Sequence, residues 1–119
     1  MGAGIGAAGL LTARSIVRNL RSFSWDQKRV LVTGGSCGPG LVIARQLASK
    51  GVRLAICART QEQLEPATEE LRTYGGDVLG IPCDVRDPDS VAEMFGQIEQ
   101  EFGSVEVLFN VAGVIEVGS

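Results

Sequence analysis

The pattern of apolar and polar positions changes at Lys28. From there, short runs of β-branched and other apolar residues alternate with segments whose apolar residues recur every three or four positions. The short runs are typical of buried strands, and the longer spacing is typical of helices with one buried face. The pattern predicts strands at 29–33, 52–57, 78–83 and 105–109. It predicts helices over 41–50, from Thr60 to the glycines at 75–76, and from Pro88 to Gly103.

The ends of the predicted helices carry recognisable signals. Gln63 stands three residues after Thr60, which is the spacing of a capping box, and Asp87 precedes Pro88 as a helix cap precedes a first-turn proline. Strands that alternate with helices in this way form a parallel sheet with helices on both faces. Because crossovers between parallel strands are right-handed, we expect a doubly wound α/β sheet of about four strands in the order 3-2-1-4.

Length and charge divide the chain into two parts. Its 119 residues are enough for one small domain, and a net charge of −3 offers no basic footprint for nucleic acid. Residues 1–29 carry five Lys or Arg and one Asp, whereas residues 30–119 carry six Lys or Arg and 13 Asp or Glu. We therefore expect a basic extension over 1–27 and an acidic domain over 28–119.

The N-terminal segment allows two interpretations. Residues 1–13 carry no charge, and Arg14, Arg18 and Arg21 follow at the spacing of one helical stripe. The apolar run is too short to span a membrane, which takes about 20 residues. Residues 1–21 are either a loose extension or an amphipathic helix in weak contact with a membrane surface. The expected location is cytoplasmic, with peripheral membrane contact as the alternative.

The residue types that are missing exclude several chemistries. The chain has no histidine, which removes Ser-His-Asp triads, Cys-His pairs and most zinc hydrolase sites. Its three cysteines, Cys37, Cys57 and Cys83, include no pair at zinc-ligand spacing, so we expect no metal site. Free thiols favour a reducing compartment.

The glycine-rich loop over 33–40 is compatible with three chemistries or with a plain turn. Ser36 lies in a G-x-S-x-G pattern, but no histidine is available to activate it. Gly35 and Gly40 have the spacing of a P-loop, but the Lys-Ser/Thr pair that would hold the terminal phosphates is missing. The third interpretation is a dinucleotide loop, in which glycines let the backbone approach a pyrophosphate at a helix N-terminus.

Four ordered motifs favour the third interpretation. Thr33-Gly34-x-x-x-Gly38-x-Gly40 is similar to the T-G-x-x-x-G-x-G signature of the short-chain dehydrogenase/reductase family. Arg59 follows 19 residues after Gly40, Asp84-Val85 ends the third predicted strand, and Asn110-Val111-Ala112-Gly113 resembles the family's N-N-A-G at the end of the fourth. The resemblance covers 28–119 and implies a Rossmann-type fold and an oxidoreductase acting on an alcohol or carbonyl.

The resemblance also implies a set of cofactor-binding residues. Ser36 and Cys37 would face the adenosine ribose phosphate, and Asp84 would contact the adenine. Ala58 stands where NAD-selective relatives have an acid, and the Arg59 guanidinium suits a phosphate, so NADP(H) is expected over NAD(H). The full predicted set is Gly34, Ser36, Cys37, Gly38, Pro39, Gly40, Arg59, Asp84, Val85, Asn110, Ala112 and Gly113.

The sequence departs from the family pattern in two places and lacks one motif. Pro39 has no backbone N–H to offer a phosphate, and Val111 replaces the second Asn of N-N-A-G. The family's catalytic Ser and Tyr-x-x-x-Lys are not found, because Val78 stands four residues after Tyr74, the single tyrosine. We therefore expect no catalytic residue in this chain.

These departures lead to an expectation about the chain as a whole. We expect the cofactor-binding half of a reductase, as a fragment or truncated gene product, without the part that forms the family's oligomer interface. The alternative is a non-catalytic dinucleotide-binding module.

Overall fold

The computed structural model describes residues 24–111, in which four strands alternate with three helices. In chain order the elements are β1 Arg29–Thr33, α1 Gly38–Ala48, β2 Arg53–Ala58, α2 Gln61–Arg72, β3 Asp77–Pro82, α3 Pro88–Glu101 and β4 Val107–Asn110. Thr60 and Gln63 form the predicted capping box, and the Asp87 side chain accepts from the Asp89 N–H at the start of α3.

The four strands form one parallel sheet in the order β3-β2-β1-β4. Thr33 pairs with Cys57 of β2 on one side and with Asn110 of β4 on the other. The predicted strand order is confirmed. The carboxyl ends of all four strands therefore meet along one edge of the sheet.

Helices cover both faces of the sheet. Val30 and Val32 of β1 point towards α1 and α2, where they pack in one core with buried residues such as Leu47 and Leu64. Leu31 points to the other face and packs with Met94 and Ile98 of α3. Because side chains alternate across a strand, a continuous apolar run such as 30–32 supplies both cores. The doubly wound arrangement is confirmed.

Several predicted boundaries were wrong by one to three residues. Helix α1 begins at Gly38 rather than residue 41, because Pro39 has a backbone angle that suits the first helical turn. Strand β4 begins at Val107 rather than residue 105, since the Glu106 side chain accepts from the Arg29 N–H just before the strand ladder starts. Strands β2 and β3 are each displaced by one residue from their predicted positions.

Trp25 joins the core from within the predicted extension over 1–27. Its side chain is 7% exposed, and its ring lies 6.0 Å from that of Phe109 in β4. The Gln27 N–H donates to the Gly51 carbonyl at 2.8 Å. The chain is thus packed on the sheet from Trp25 onward. The predicted stripe of Arg14, Arg18 and Arg21 lies outside the described residues.

No helix between residues 24 and 111 is long and apolar enough to cross a membrane.

Candidate functional site

Four of the predicted motifs are brought together at the carboxyl edge of the sheet. The glycine loop follows β1, Arg59 follows β2, Asp84 lies two residues beyond β3, and Asn110 ends β4. Strand order reverses between β1 and β4, because β1 connects to β2 on one side while β4 lies on the other. Ligands of open parallel sheets bind outside the carboxyl ends at such a switch point.

The glycines of the loop serve different purposes. Gly34 and Gly38 have φ values of 70° and 58°, which non-glycine residues rarely adopt. A Cβ on Gly40 would collide with the Gly34 carbonyl and would lie 2.9 Å from Cγ2 of Val111. A Cβ on Gly38 would meet nothing within 4 Å. The loop is packed tightly against the fold on its inner side, and at Gly38 it faces open space that a ligand can enter.

The N-terminus of α1 differs from the other two helix starts in ways that suit an anion. Thr60 and Asp87 cap α2 and α3 with their side chains, whereas the Cys37 side chain makes no capping bond at α1. The first turn of α1 contains no acidic residue. Its N–H groups and the positive end of its dipole are therefore available to an anionic ligand, except at Pro39, which has no N–H.

Thr33, which the predicted set did not include, joins the loop to β4. Its buried hydroxyl lies within hydrogen-bond distance of the Asn110 side chain and of the Val111 N–H. The threonine at the head of the T-G-x-x-x-G-x-G motif was the sequence signal that pointed to it. The bond fixes the spacing between the two strands at the switch point.

Arg59 lies directly after Ala58, at the carboxyl end of β2, and its side chain is exposed. Within residues 24–111 its guanidinium has no hydrogen bond and no ion pair, and it acts on Asp84 by charge alone. A positive group held at the mouth of the site without a close partner is able to receive a phosphate.

Asp84 is fixed by residues that follow it in the chain. Its Oδ1 accepts from the backbone N–H of Arg86 at 3.0 Å and from the Arg86 Nε at 3.2 Å, and its own N–H donates to Ser90 Oγ at 3.1 Å. The hydrogen bonds from Arg86 hold the pKa of the Asp84 carboxyl below its ordinary value, and the charge of Arg59 lowers it further. Asp84 is therefore an anion with a fixed orientation. Neither Arg86 nor Ser90 was predicted from the sequence.

The three cysteines occupy different environments. Cys37 is exposed at the start of α1, whereas Cys57 and Cys83 are buried beneath the carboxyl edge. Burial raises the pKa of the Cys57 thiol to about 11. A thiol of that kind carries almost no thiolate at neutral pH. Cys37 is the accessible cysteine of the site, because it is exposed and the other two are buried.

The structure places ten of the twelve predicted site residues at or next to this edge. They are Gly34, Ser36, Cys37, Gly38, Pro39, Gly40, Arg59, Asp84, Val85 and Asn110. Ala112 and Gly113 lie outside the described residues. Between residues 24 and 111, no cluster of three or more His, Cys, Asp or Glu side chains is arranged to hold a metal ion.

A Rossmann-type sheet with this loop, and with these motifs at its carboxyl edge, is typical of dinucleotide-binding proteins. The family model described as short chain dehydrogenase matches residues 28–119. The chain belongs to the short-chain dehydrogenase/reductase family. The resemblance inferred from the motifs is confirmed.

Two curated relatives illustrate the range of similarity. The chain is 46% identical over 83 residues to the granaticin polyketide synthase putative ketoacyl reductase 1 of Streptomyces violaceoruber, covering 70% of this chain and 30% of that protein. It is 37% identical over 93 residues to the 2,3-dihydro-2,3-dihydroxybenzoate dehydrogenase of Bacillus subtilis, covering 78% and 36%. The chain thus spans about a third of the length of these relatives.

Solved structures share the fold. A short-chain type dehydrogenase/reductase from Mycobacterium marinum matches with a TM-score of 0.73 and 30% identity, over 92% of this chain and 42% of that one. An NAD+-bound xylitol dehydrogenase matches with a TM-score of 0.73 and 32% identity, over 76% and 35%.

Proposed function

We propose that this chain forms the NADP(H)-binding part of a short-chain oxidoreductase that acts on an alcohol or a carbonyl compound. The family membership supports a nicotinamide dinucleotide as the ligand. The open face at Gly38, the uncapped start of α1 and the fixed Asp84 carboxylate are each suited to one portion of such a molecule. When bound, the nicotinamide ring gives or accepts a hydride.

The observation that carries the preference for NADP(H) is the position of Arg59. An acid at residue 58 would accept a hydrogen bond from the ribose 2′-hydroxyl and would repel a 2′-phosphate, but residue 58 is alanine. The exposed Arg59 guanidinium follows directly and has no close partner among the described residues. We infer that it receives the 2′-phosphate of the adenosine ribose.

The remaining residues of the proposed site have separate tasks. The N–H groups of Gly38 and Gly40 would approach the pyrophosphate, with Ser36 and Cys37 beside the adenosine ribose. The Asp84 carboxylate accepts hydrogen bonds and would bind the adenine amino group, with Val85 beside it. Asn110, with Ala112 and Gly113 beyond it, would lie beside the nicotinamide half. Pro39 withholds one donor, which is worth about 1.5–3 kcal/mol when it meets a charged group.

Relatives with ketoacyl reductase in their names support a carbonyl compound as the substrate class. This chain matches about a third of the length of those relatives. We therefore expect the residues that contact the substrate to lie in the remaining part of such a protein.

The alternative function is a dinucleotide-binding module without catalysis, and the position of Tyr74 supports it. Tyr74 follows the C-terminus of α2, at the amino edge of the sheet, and its hydroxyl donates to Glu70 Oε2 at 3.3 Å. It is therefore on the opposite side of the sheet from the proposed site, and it does not serve as an acid or base there.

Weak contact of residues 1–21 with an anionic membrane surface remains a separate proposal about location. Each basic residue close to such a surface contributes about 1 kcal/mol, so binding would be weak and sensitive to salt. Co-sedimentation with phosphatidylserine vesicles tests it. The proposal is wrong if the protein and a form starting at Trp25 pellet equally.

The proposed cofactor is tested by titrating the purified protein with NADPH and with NADH. The fluorescence of Trp25, the single tryptophan, and calorimetry provide independent signals. We expect NADPH to bind at least tenfold more tightly. Equal affinity for both nucleotides would contradict the assignment of Arg59, and binding of neither would contradict the proposed site.

A further inference from the structure

Two arginines act on Asp84 in different ways. Arg86 donates to its carboxylate, whereas Arg59 influences it through charge without a hydrogen bond. We propose that Arg86 is a second determinant of the preference for a 2′-phosphorylated nucleotide, and that it acts as a positioning residue through Asp84. This inference rests on the proposed function, because it concerns the same phosphate that Arg59 would receive.

The contacts of Arg86 hold the Asp84 carboxylate in one orientation and place a positive charge beside it. Its backbone N–H and its Nε both reach Asp84 Oδ1, and its Nη2 lies 3.5 Å from Oδ2. The turn is completed by the Asp87 N–H, which donates to the Asp84 carbonyl at 3.0 Å. Asp84 thus keeps one orientation, and an adjacent positive charge offsets its own.

The charge balance at this edge depends on Arg86. The charged groups within five residues of the ends of β2 and β3 are Arg59, Glu62, Asp84, Arg86 and Asp87, and their formal charges sum to −1. The Asp87 carboxylate is committed to the start of α3, where it accepts from the Asp89 N–H at 3.1 Å. Without Arg86, the edge would become more negative beside the residue that is to receive a phosphate.

An uncompensated Asp84 would disfavour the two nucleotides unequally. A 2′-phosphate carries up to two negative charges near neutral pH, whereas the 2′-hydroxyl of NAD(H) carries none. Repulsion between charges near a protein surface is modest and is screened by salt. Replacing Arg86 should therefore weaken NADPH about 3- to 10-fold relative to NADH at low salt, and less at high salt.

The test compares Arg86→Gln with two other single variants. Arg86→Lys keeps the charge and should recover most of the preference. Arg53→Gln is the matched control, because Arg53 Nε lies 3.9 Å from Asp77 Oδ2 at the opposite edge of the sheet and the variant loses the same charge. Affinities for NADPH and NADH are measured by calorimetry at two salt concentrations, after circular dichroism confirms that each variant is folded.

A double variant separates an action through Asp84 from a direct contact with the nucleotide. When Asp84→Asn removes the carboxylate, only the general loss of one positive charge remains, so the additional change Arg86→Gln should alter the NADPH/NADH ratio by a smaller factor than it does beside Asp84. An NMR titration of the Asp84 carboxyl, which needs no nucleotide, should show its pKa rising in Arg86→Gln. The inference is overturned if Arg86→Gln changes the ratio no more than Arg53→Gln does, or if its effect is equally large in the Asp84→Asn background.

The outcomes also distinguish the role of Arg86 from the proposed NADP(H)-binding function on which it rests. If the unchanged protein has no preference for NADPH, the proposed function fails and the role of Arg86 fails with it. If Arg59→Ala abolishes the preference and Arg86→Gln leaves it intact, only the role of Arg86 is wrong.

Discussion

The hydroxyl of Thr33 donates to Asn110 Oδ1 at 2.9 Å and connects the ends of β1 and β4. The same oxygen accepts from the Val111 N–H at 3.2 Å. Both bonds lie at the point where the strand order reverses, directly behind the glycine loop. A single buried hydroxyl therefore joins two of the motifs by which the family was inferred.

Removing that hydroxyl should destabilise the fold without changing its shape. In Thr33→Val the side-chain volume is kept but both hydrogen bonds are lost, at a cost of about 1–3 kcal/mol in the free energy of unfolding. Thr33→Ser retains the hydroxyl and serves as the control. Urea denaturation followed by circular dichroism compares them, and a valine variant as stable as the serine variant would show that the bonds contribute little.

Gly40→Ala should lower the free energy of unfolding, whereas Gly96→Ala should raise it. A Cβ at residue 40 collides with the backbone of Gly34 rather than with a flexible side chain, so we expect a loss of about 1–3 kcal/mol and weaker nucleotide binding. Gly96 lies within α3, and a Cβ there meets nothing within 4 Å. Gly96→Ala should therefore stabilise by about 0.5–1 kcal/mol. Thermal unfolding of both variants measures the change in stability relative to the unchanged protein. Losses of stability of equal size in the two variants would contradict the close approach at Gly40.

Cysteine labelling should report on the loop. Cys37 is exposed while Cys57 and Cys83 are buried, so iodoacetamide at pH 7.5 should modify Cys37 first in the folded protein and all three in urea. If the nucleotide lies on the loop, saturating NADPH should slow the modification of Cys37. Mass spectrometry of the peptides gives the rates. Rapid labelling of Cys57 in the folded state would contradict its burial.

The residue before Arg59 should also control the cofactor. Ala58→Asp places a carboxylate where it would accept from a ribose hydroxyl and repel a phosphate, so NADPH affinity should fall while NADH affinity holds or rises. Ala58→Asn has a similar size without the charge and is the matched control. Calorimetric titration of both variants measures their affinities for NADPH and NADH. An equal change in the two affinities would mean that residue 58 does not face the ribose.

Much of the fold was predictable because its signals are local. The apolar run over 30–32 and the capping residues Thr60 and Asp87 specify strands and helix starts with their nearest neighbours alone. The order of the strands followed from the handedness of the crossovers, which does not depend on side chains. The start of α1 is not predictable from periodicity, because the glycines before residue 41 bury no apolar stripe, and Pro39 is equally compatible with a turn and with a first helical turn.

The site was predictable only where a motif covers it. The spacing from the glycine loop predicts Arg59 and Asp84, and the structure has both just beyond the carboxyl ends of β2 and β3. Arg86 was not predicted, since an arginine two residues after an aspartate is an ordinary surface feature until the turn brings its Nε to Oδ1. Trp25 was missed in the same way, because its contact with Phe109 joins residues far apart in the chain.

The central claim is that Arg59 makes this edge of the sheet selective for a 2′-phosphorylated nucleotide. It is tested most directly by four dissociation constants, for NADPH and NADH with the unchanged protein and with Arg59→Ala. Loss of an arginine paired with a phosphate costs about 1.5–3 kcal/mol, so NADPH should weaken about 10- to 150-fold while NADH changes little. If Arg59→Ala weakens both nucleotides by the same factor, or neither, the claim is contradicted.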